Sequence, residues 1–555
     1  MGADAPGRRP EERTRAVAAL RVVQVVPDVS ALDRVFDYEV PDKFDAAVRV
    51  GSVVRVDLHG RRVRGWVVAE GAGTDRAVAL KPIAKISPGF VDPELVDLSS
   101  WAAWRWAGKR RTFLSTATSS AHPRLSAGSG SPSRQNPQKV VLRLAPAIDP
   151  WPYVEAAAAD GPTLLLVPSL ARVERWQGRL RAAGMTDVVV GARAGAWAPC
   201  PGLASVVVID AHDDVYIEER APTWNAWVVA AERAQRAGAS CLLVTPTPTP
   251  EHLAWGELVE TDHATERRGW ARLEVIDRRG DDPRTGLWST RVVDLVRGSG
   301  RVLCILNRTG RARLLRCGTC GTVATCERCA SAVHQDAEGD LVCERCGMVR
   351  PTVCASCGAS KLKALRIGTA RAAEELTALA GETVGEVTGA SAEVPDTRVL
   401  IGTEALLHRV GRADTVVFVD LDAELSAPHF RANEAALALL ARASRIVRGR
   451  IEDGRVVVQT RQPDHPVLRR SPQELVAEDD VLRRALDLPP YAALAKLSGD
   501  DAAADADRLR GRLGITVIGP DEGGAFLVRA ADHDTLCDAL REVHAARIAV
   551  DPVRV

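Results

Sequence analysis

The 555-residue chain has no apolar run near the ~20 residues needed to cross a bilayer, so a membrane-spanning role is not expected. Its first twenty residues, MGADAPGRRPEERTRAVAAL, are charged and lack an apolar h-region, which excludes a secretory signal and points to a cytoplasmic protein. The formal net charge is only +1, so overall charge argues for no class of partner. The phosphate-cradling pattern G-x-x-x-x-G-K-[ST] is absent. The single Gly-Lys pair, Gly108-Lys109, is followed by arginine in the wrong context.

What is present is an ordinary globular composition, 46% hydrophobic and 26% charged, long enough for three to five domains at roughly 100–200 residues each. Residues 1–19 read as a disordered tail. Over residues 20–118, short alternating segments (Val22–Val26, Ser52–Asp57, Arg64–Ala69) separated by Pro-Asp and His-Gly turns indicate a small β-rich domain, followed by a helical stretch. Trp101, Trp104 and Trp106 in that stretch suit a packed helix face better than base stacking. Residues 119–139 form a Ser/Gly/Pro-rich linker. From residue 140 the texture changes to buried apolar runs (Val140–Leu144, Thr163–Val167, Val206–Asp210, Cys241–Val244) alternating with helices at Ala171–Ala183 and Trp224–Ala237. This is an α/β pattern with a parallel sheet. It resumes at Arg398–Gly402 and Val416–Asp420. The expectation is a multidomain α/β protein with one lobe over 140–265, a second over 266–312 and 364–470, a cysteine module inserted at 313–363, and an α+β domain over 471–555.

The cysteine module carries the strongest signal. Cys317-x-x-Cys320, Cys326-x-x-Cys329, Cys343-x-x-Cys346 and Cys354-x-x-Cys357 are four knuckles, each placing two thiolates within reach of one tetrahedral ion. Eight thiolates make two structural four-cysteine sites and two Zn²⁺ per chain. A disulfide framework is the alternative, but no secretion signal supports it, and Cys200, Cys241, Cys304 and Cys537 are scattered in core-like contexts. Spacing alone leaves open which knuckles share an ion. His334 reads as a surface residue. Arg308, Arg311, Arg313, Arg316, Lys361, Lys363, Arg366 and Arg371 flank the module, and Arg55, Arg61, Arg62 and Arg64 cluster earlier; solvated surface arginine is the bland reading of each group.

The order of these features resembles the primosomal protein N′ (PriA) family, superfamily 2 helicases that reload the replicative helicase at stalled forks. Val35-Phe-Asp-Tyr-Glu-Val-Pro and Gly51-Ser-Val-Val-Arg-Val are similar to that family's N-terminal domain, and Cys304-Ile-Leu-Asn-Arg-Thr-Gly, Ile401-Gly-Thr-Glu, Val419-Asp-Leu-Asp, Phe430-Arg-Ala-Asn-Glu and Leu488-Pro-Pro-Tyr follow in the family's order. The resemblance implies that Phe36, Asp37, Gly60 and Lys81 contact the 3′-terminal nucleotide of a nascent strand, with an aromatic to stack, a carboxylate for a terminal hydroxyl, a glycine for close approach and a lysine for phosphate. It also implies interleaved zinc sites, with Cys317, Cys320, Cys354 and Cys357 on one ion and Cys326, Cys329, Cys343 and Cys346 on the other.

Against that family the nucleotide motifs have departed. The first strand of lobe one leads into Ala145-Pro-Ala-Ile-Asp-Pro-Trp-Pro, and the expected DEEH reads Asp210-Ala-His-Asp213. The SATP motif has become Thr245-Pro-Thr-Pro, and the arginine-finger motif has become Ala441-Arg-Ala-Ser-Arg445. Those groups supply most of the transition-state stabilisation in phosphoryl transfer. The expectation is therefore a DNA-binding restart scaffold that is not an enzyme and does not use ATP, with Asp210 and Arg445 retained for packing. Expected partners are DNA at forks and nascent 3′ ends, primosome proteins, and the replicative helicase or its loader. The 119–139 linker leaves no room for the family's winged-helix domain. The rival readings are a helicase hydrolysing ATP with unorthodox residues, and a zinc-stapled protein–protein adaptor.

Overall fold

The computed structural model of the protein describes residues 21–30, 32–71, 80–118, 137–281, 286–307, 315–328, 331–336, 339–343, 346–364, 369–521, 523–544 and 547–553. The expected tail at 1–19, residues 119–136 of the linker, Arg308, Arg311, Arg313, Arg366 and Cys329 lie outside the described residues. The chain divides into two compact units. The first ends at Ala103 and resumes over Lys109–Ser120; the second takes Trp104–Gly108 and everything from Ala121 onward.

The first unit is built on strands β1 (Val22–Pro27), β2 (Phe36–Glu39), β3 (Ser52–Leu58), β4 (Arg61–Glu70) and β5 (Lys85–Phe90), in sheet order β2-β1-β4-β3-β5. The period-2 alternation puts Val54 and Val56 on the core face, where they meet Val23, Val25, Tyr38, Val40, Val67 and Ile83. His59 and Gly60, at φ 49° and 81°, form the two-residue turn between β3 and β4; two left-handed residues match the twist of the flanking strands. The free edge of β2 meets the segment before β5: the Glu39 N–H donates to the Lys81 carbonyl (3.1 Å) and the Ile83 N–H to the Glu39 carbonyl (2.9 Å). Helices α1 (Pro93–Arg105) and α2 (Arg110–Ala117) follow. Trp106 is buried, and Trp101 and Trp104 are half-buried, in keeping with the packing reading.

The second unit holds two six-stranded sheets whose pairings are parallel. In the first sheet the order is Glu257–Glu260, Lys139–Arg143, Ser240–Thr245, Ser205–Ile209, Thr163–Leu166, Val188–Gly191. In the second it is Arg272–Asp277, Arg455–Thr460, Thr415–Phe418, Val302–Ile305, Val399–Gly402, Gly385–Val387. Central strands such as Ser205–Ile209 and Thr415–Phe418 are buried at every residue, as continuous apolar runs between two helical layers must be. The helix expected from Trp224 begins at Ala226. Asn225 sits at its N-cap, its side chain accepting from the Trp227 N–H (3.1 Å), while Trp224–Asn225 pairs as a short strand with Ile217–Glu218. The chain finishes on a four-stranded antiparallel sheet with helices Ala502–Leu509 and His533–Leu540. No helix among the described residues is long and apolar enough to cross a membrane.

Candidate DNA-end site, cysteine clusters and interlobe cleft

On β2, Asp37 and Glu39 share the face opposite the core, while Phe36 and Tyr38 point inward. Tyr38 is buried and Phe36 is half-buried against the core. One oxygen of Asp37, Oδ1, is buried and has no hydrogen-bond partner among the described residues. Such an acceptor costs free energy unless something donates to it. Lys81 is exposed and ion-paired with Asp57, and the same Asp57 oxygen accepts from the Gly60 N–H (3.2 Å). The Lys81 ammonium and the Gly60 amide together hold the Asp57 carboxyl below its ordinary value. Asp57, which sequence reasoning passed over, thus ties Gly60 to Lys81. A cavity of about 560 Å³ opens here, lined by Glu39, Lys43, Asp57, Arg62 and Lys81 among others.

In the inserted module the cysteine sulfurs gather into two groups. Cys317, Cys320, Cys354 and Cys357 form one; Cys326, Cys343 and Cys346 form the other, the sulfurs of each group lying within 4.8 Å of one another. Cys317–Cys357 and Cys320–Cys354 Sγ separations are 3.6 Å, and Cys326–Cys346 is 3.5 Å. A tetrahedron with metal–sulfur bonds of about 2.3 Å has edges of roughly 3.8 Å, so the donor set fits a metal ion in each cluster. Small sheets hold the knuckles in place: Leu315–Cys317 pairs with Leu362–Ala364, and Leu341–Val342 pairs with His334–Gln335 and Val349–Arg350. His334 belongs to neither cluster. Cys200, Cys241, Cys304 and Cys537 are buried and belong to neither cluster.

Partly buried arginines link the two parallel-sheet regions of the second unit. Helix α3 (Leu170–Ala182) supplies Arg172, and α4 (Ala432–Ile446) supplies Arg442 and Arg445. Asp210 ends its strand in a left-handed conformation, φ 58°, and one of its oxygens takes both Arg172 (2.5 Å) and Arg445. Burial and the neighbouring Arg172 pull the Arg445 guanidinium well below its ordinary value. Its Nε donates to the Pro146 carbonyl (2.7 Å), in the loop that follows the first strand of the first sheet. Arg442 contacts Asp213 (2.9 and 3.1 Å) and Asp214 (3.2 Å), which outweigh burial and raise it. Burial drops the His212 imidazole to about 4; its Nδ1 lies 3.0 Å from the Thr245 hydroxyl. In the loop after the first strand, amides serve the protein itself: Ala147 donates to Gly269, Ile148 to Ala145, and Trp151 to the Asp149 carboxylate.

Residues 24–119 match the family described as the 3′ DNA-binding domain of PriA. The chain is 27% identical over 597 residues to the "Probable replication restart protein PriA" of Mycobacterium tuberculosis (strain CDC 1551 / Oshkosh), covering 89% of each chain. It is 26% identical over 418 residues to the "Replication restart protein PriA" of Haemophilus influenzae, covering 66% of this chain and 57% of that one. The chain is thus similar to PriA replication-restart proteins, most specifically through its 3′ DNA-binding segment. Among solved structures, Saccharomyces cerevisiae Dbp5 bound to RNA and ADP BeF3 aligns over 70% of this chain and 90% of its own at a TM-score of 0.33 and 10% identity. The Escherichia coli DExH-box NTPase HrpB aligns over 67% and 43% at 0.30 and 13% identity. Scores this low carry no argument about this chain.

The likeness to these relatives corrects one expectation. The chain was expected not to be an enzyme, yet its relatives are PriA proteins, a superfamily 2 helicase family, and the likeness points to an enzyme. The exclusion rested on missing motif residues, which remove one way of holding a phosphate but do not decide the class of a PriA-like chain. Asp210 and Arg445, expected to be retained for packing, form an ion pair with each other. Sequence reasoning passed over Arg172 and could not pair Asp213 with Arg442, which lie in two quoted motifs 229 residues apart.

Proposed function

We propose that this PriA relative acts in the cytoplasm in replication restart. It captures the 3′ end of a nascent strand at a stalled fork through its first unit and recruits the primosome proteins that reload the replicative helicase. The observation that carries this reading is the buried, unpartnered Oδ1 of Asp37 inside the segment matched to the 3′ DNA-binding domain. A free 3′-hydroxyl is a donor of the size and polarity to satisfy it. Gly60 and Lys81, joined through Asp57 beside the lined cavity, supply close backbone approach and a phosphate partner.

In the same reading the cysteine clusters hold two Zn²⁺ ions, one on Cys317, Cys320, Cys354 and Cys357, the other on Cys326, Cys343 and Cys346 with Cys329 as its fourth ligand. All-thiolate sites close the coordination sphere, so each zinc is structural. The helicase class of the family comes to this chain with the same proposal, and the cleft around Arg172, Asp210 and Arg445 is where turnover of a nucleotide would be sought.

The test is binding of the zinc-loaded protein to a labelled fork with a 3′-hydroxyl and to the same fork ending in a 3′-phosphate, with ATP hydrolysis followed in the same tubes. A preference for the hydroxyl that disappears in Asp37→Ala is expected. Equal binding to both ends, in a folded protein, would sink the end-capture reading. DNA-stimulated hydrolysis supports the helicase class, and its absence removes that class while leaving end capture intact.

A further inference from the structure

The outer face of the first unit carries a row of cations that internal structure does not explain. Antiparallel register puts Arg55 of β3 directly opposite Arg64 of β4 on one side and Lys85 of β5 on the other. Arg62 lies two residues from Arg64 on the same face, opposite Asp57. Directly opposed residues share a face, and like charges placed so are destabilising. Arg55, Arg62 and Lys85 are exposed, and Arg64 lies over the Trp66 ring at 5.2 Å. Among the described residues, Arg55, Arg64 and Lys85 make no ion pair. Farther along, the Trp66 indole donates to Thr118 Oγ1 (3.1 Å) at the end of α2, so the helices cover that part of the face and leave the cationic part open. Arg62 also lines the cavity that holds Lys81.

We infer that Arg55, Arg64 and Lys85 form a phosphate track that carries the sugar–phosphate backbone of the captured strand away from the end site. This rests on the end-capture reading and adds to it the surface that the nucleic acid follows. Strands lie about 4.8 Å apart, so the row across β5, β3 and β4 spans about 10 Å, or roughly three phosphate steps at 3.4 Å of rise per strand. A sheet face that accepts mutual repulsion and stays uncovered is stabilised when a polyanion neutralises it. Arg62, shared by row and cavity, makes the two surfaces continuous.

The experiment compares the full-length protein with Arg55→Ala/Lys85→Ala, measuring binding across a salt series on a duplex with a recessed 3′-hydroxyl and on a single strand with the same end. Each lost phosphate contact lowers the slope of log K against log salt by about 0.9 on duplex and about 0.7 on single strand, so the double variant is expected to lose about 1.8 units if the track holds duplex and about 1.4 if it holds single strand. The ratio of 3′-hydroxyl to 3′-phosphate binding should stay unchanged. Arg55→Lys, which keeps the charge, should retain the wild-type slope. The melting temperature of the double variant should be equal or higher, because repulsion has been removed. An unchanged slope on both substrates overturns the track, as does a double variant that is less stable. Asp37→Ala separates the two claims: it should abolish end discrimination with the slope intact, and if it leaves discrimination intact the end site fails while the track stands.

Discussion

Replacing Asp210 with asparagine tests how the interlobe cleft is held. The residue sits at φ 58°, which asparagine adopts as readily as aspartate, so Asp210→Asn removes a charge with little backbone cost. The Asp210 side chain is 5% exposed, against 22% for Arg172 and 26% for Arg445, so the arginines that share its oxygen are also sheltered from water. Removing one partner of a buried pair costs about 3–5 kcal/mol, because the opposite charge is left behind. Here two guanidiniums would face each other, while the asparagine carbonyl keeps one acceptor; the lower end, about 3 kcal/mol, is the expected loss. Adding Arg445→Met to that variant removes one stranded cation and should recover about 0.5–3 kcal/mol, the range of coupling between contacting residues. Urea unfolding followed by the fluorescence of Trp151 and Trp176, which stack at 5.8 Å beside the cleft loop, reads both changes. A loss below about 1 kcal/mol for Asp210→Asn, or strict additivity in the double variant, would show that the clasp does not hold the lobes.

Arg483 on helix α5 (Pro472–Ala485) is fully buried among Glu251 (2.9 Å), Glu434 (2.5 Å) and Asp479 (2.7 Å). Arg483→Met should cost about 3 kcal/mol or more at pH 8 in a thermal melt. The deficit should narrow near pH 5.5, because burial and Glu251 lift Glu434 to about 7 and its protonation relieves the repulsion. Glu424, its Oε2 buried and unpartnered, is raised to about 8 by burial first and by Asp420. A carboxyl raised in the folded state contributes stability that is complete below its ordinary value near 4.5 and lost as pH rises through 8, so Glu424→Gln should flatten the decline of melting temperature between pH 5 and 8.5. Metal release by a strong chelator should yield about two zinc equivalents per chain and erase the module's protection from proteolysis. Cys343→Ser should retain one equivalent, and full loss or full retention would contradict two independent sites.

What could be read from the chain divides by the range of the interaction. The cysteine knuckles were legible because a C-x-x-C turn fixes two ligands locally. Segments such as Val206–Asp210 were legible because a buried parallel strand is apolar throughout, and the observed Ser205–Ile209 differs by a single residue at each end. The start of the helix after Trp224 was misplaced because the Asn225 cap overrides the apolar pattern only once its side chain has turned onto the Trp227 amide. Phe36 illustrates the opposite limit: its stacking role comes from the family resemblance alone, and strand parity sets it half-buried against the core with Asp37 on the outer face.

The residues that organise the candidate site are legible only after pairing. Asp57 gains meaning from Lys81, 24 positions away, and from the Gly60 turn that returns the chain to it. Arg55 reads as one more surface arginine until register places Arg64 and Lys85 on either side. At the cleft, Arg445 lies 235 residues from Asp210 and 299 from Pro146, so no window of sequence contains the contact. Motif counting looks for the residues that a phosphate loop requires, and here the same position is occupied by a proline carbonyl that accepts from an arginine of the other lobe. Asp210, Arg172 and Arg445 thus come together beside a loop that lacks the phosphate-cradling pattern. Measuring turnover and the stability of the Asp210 variants in one preparation assigns that convergence to catalysis, to lobe closure, or to both.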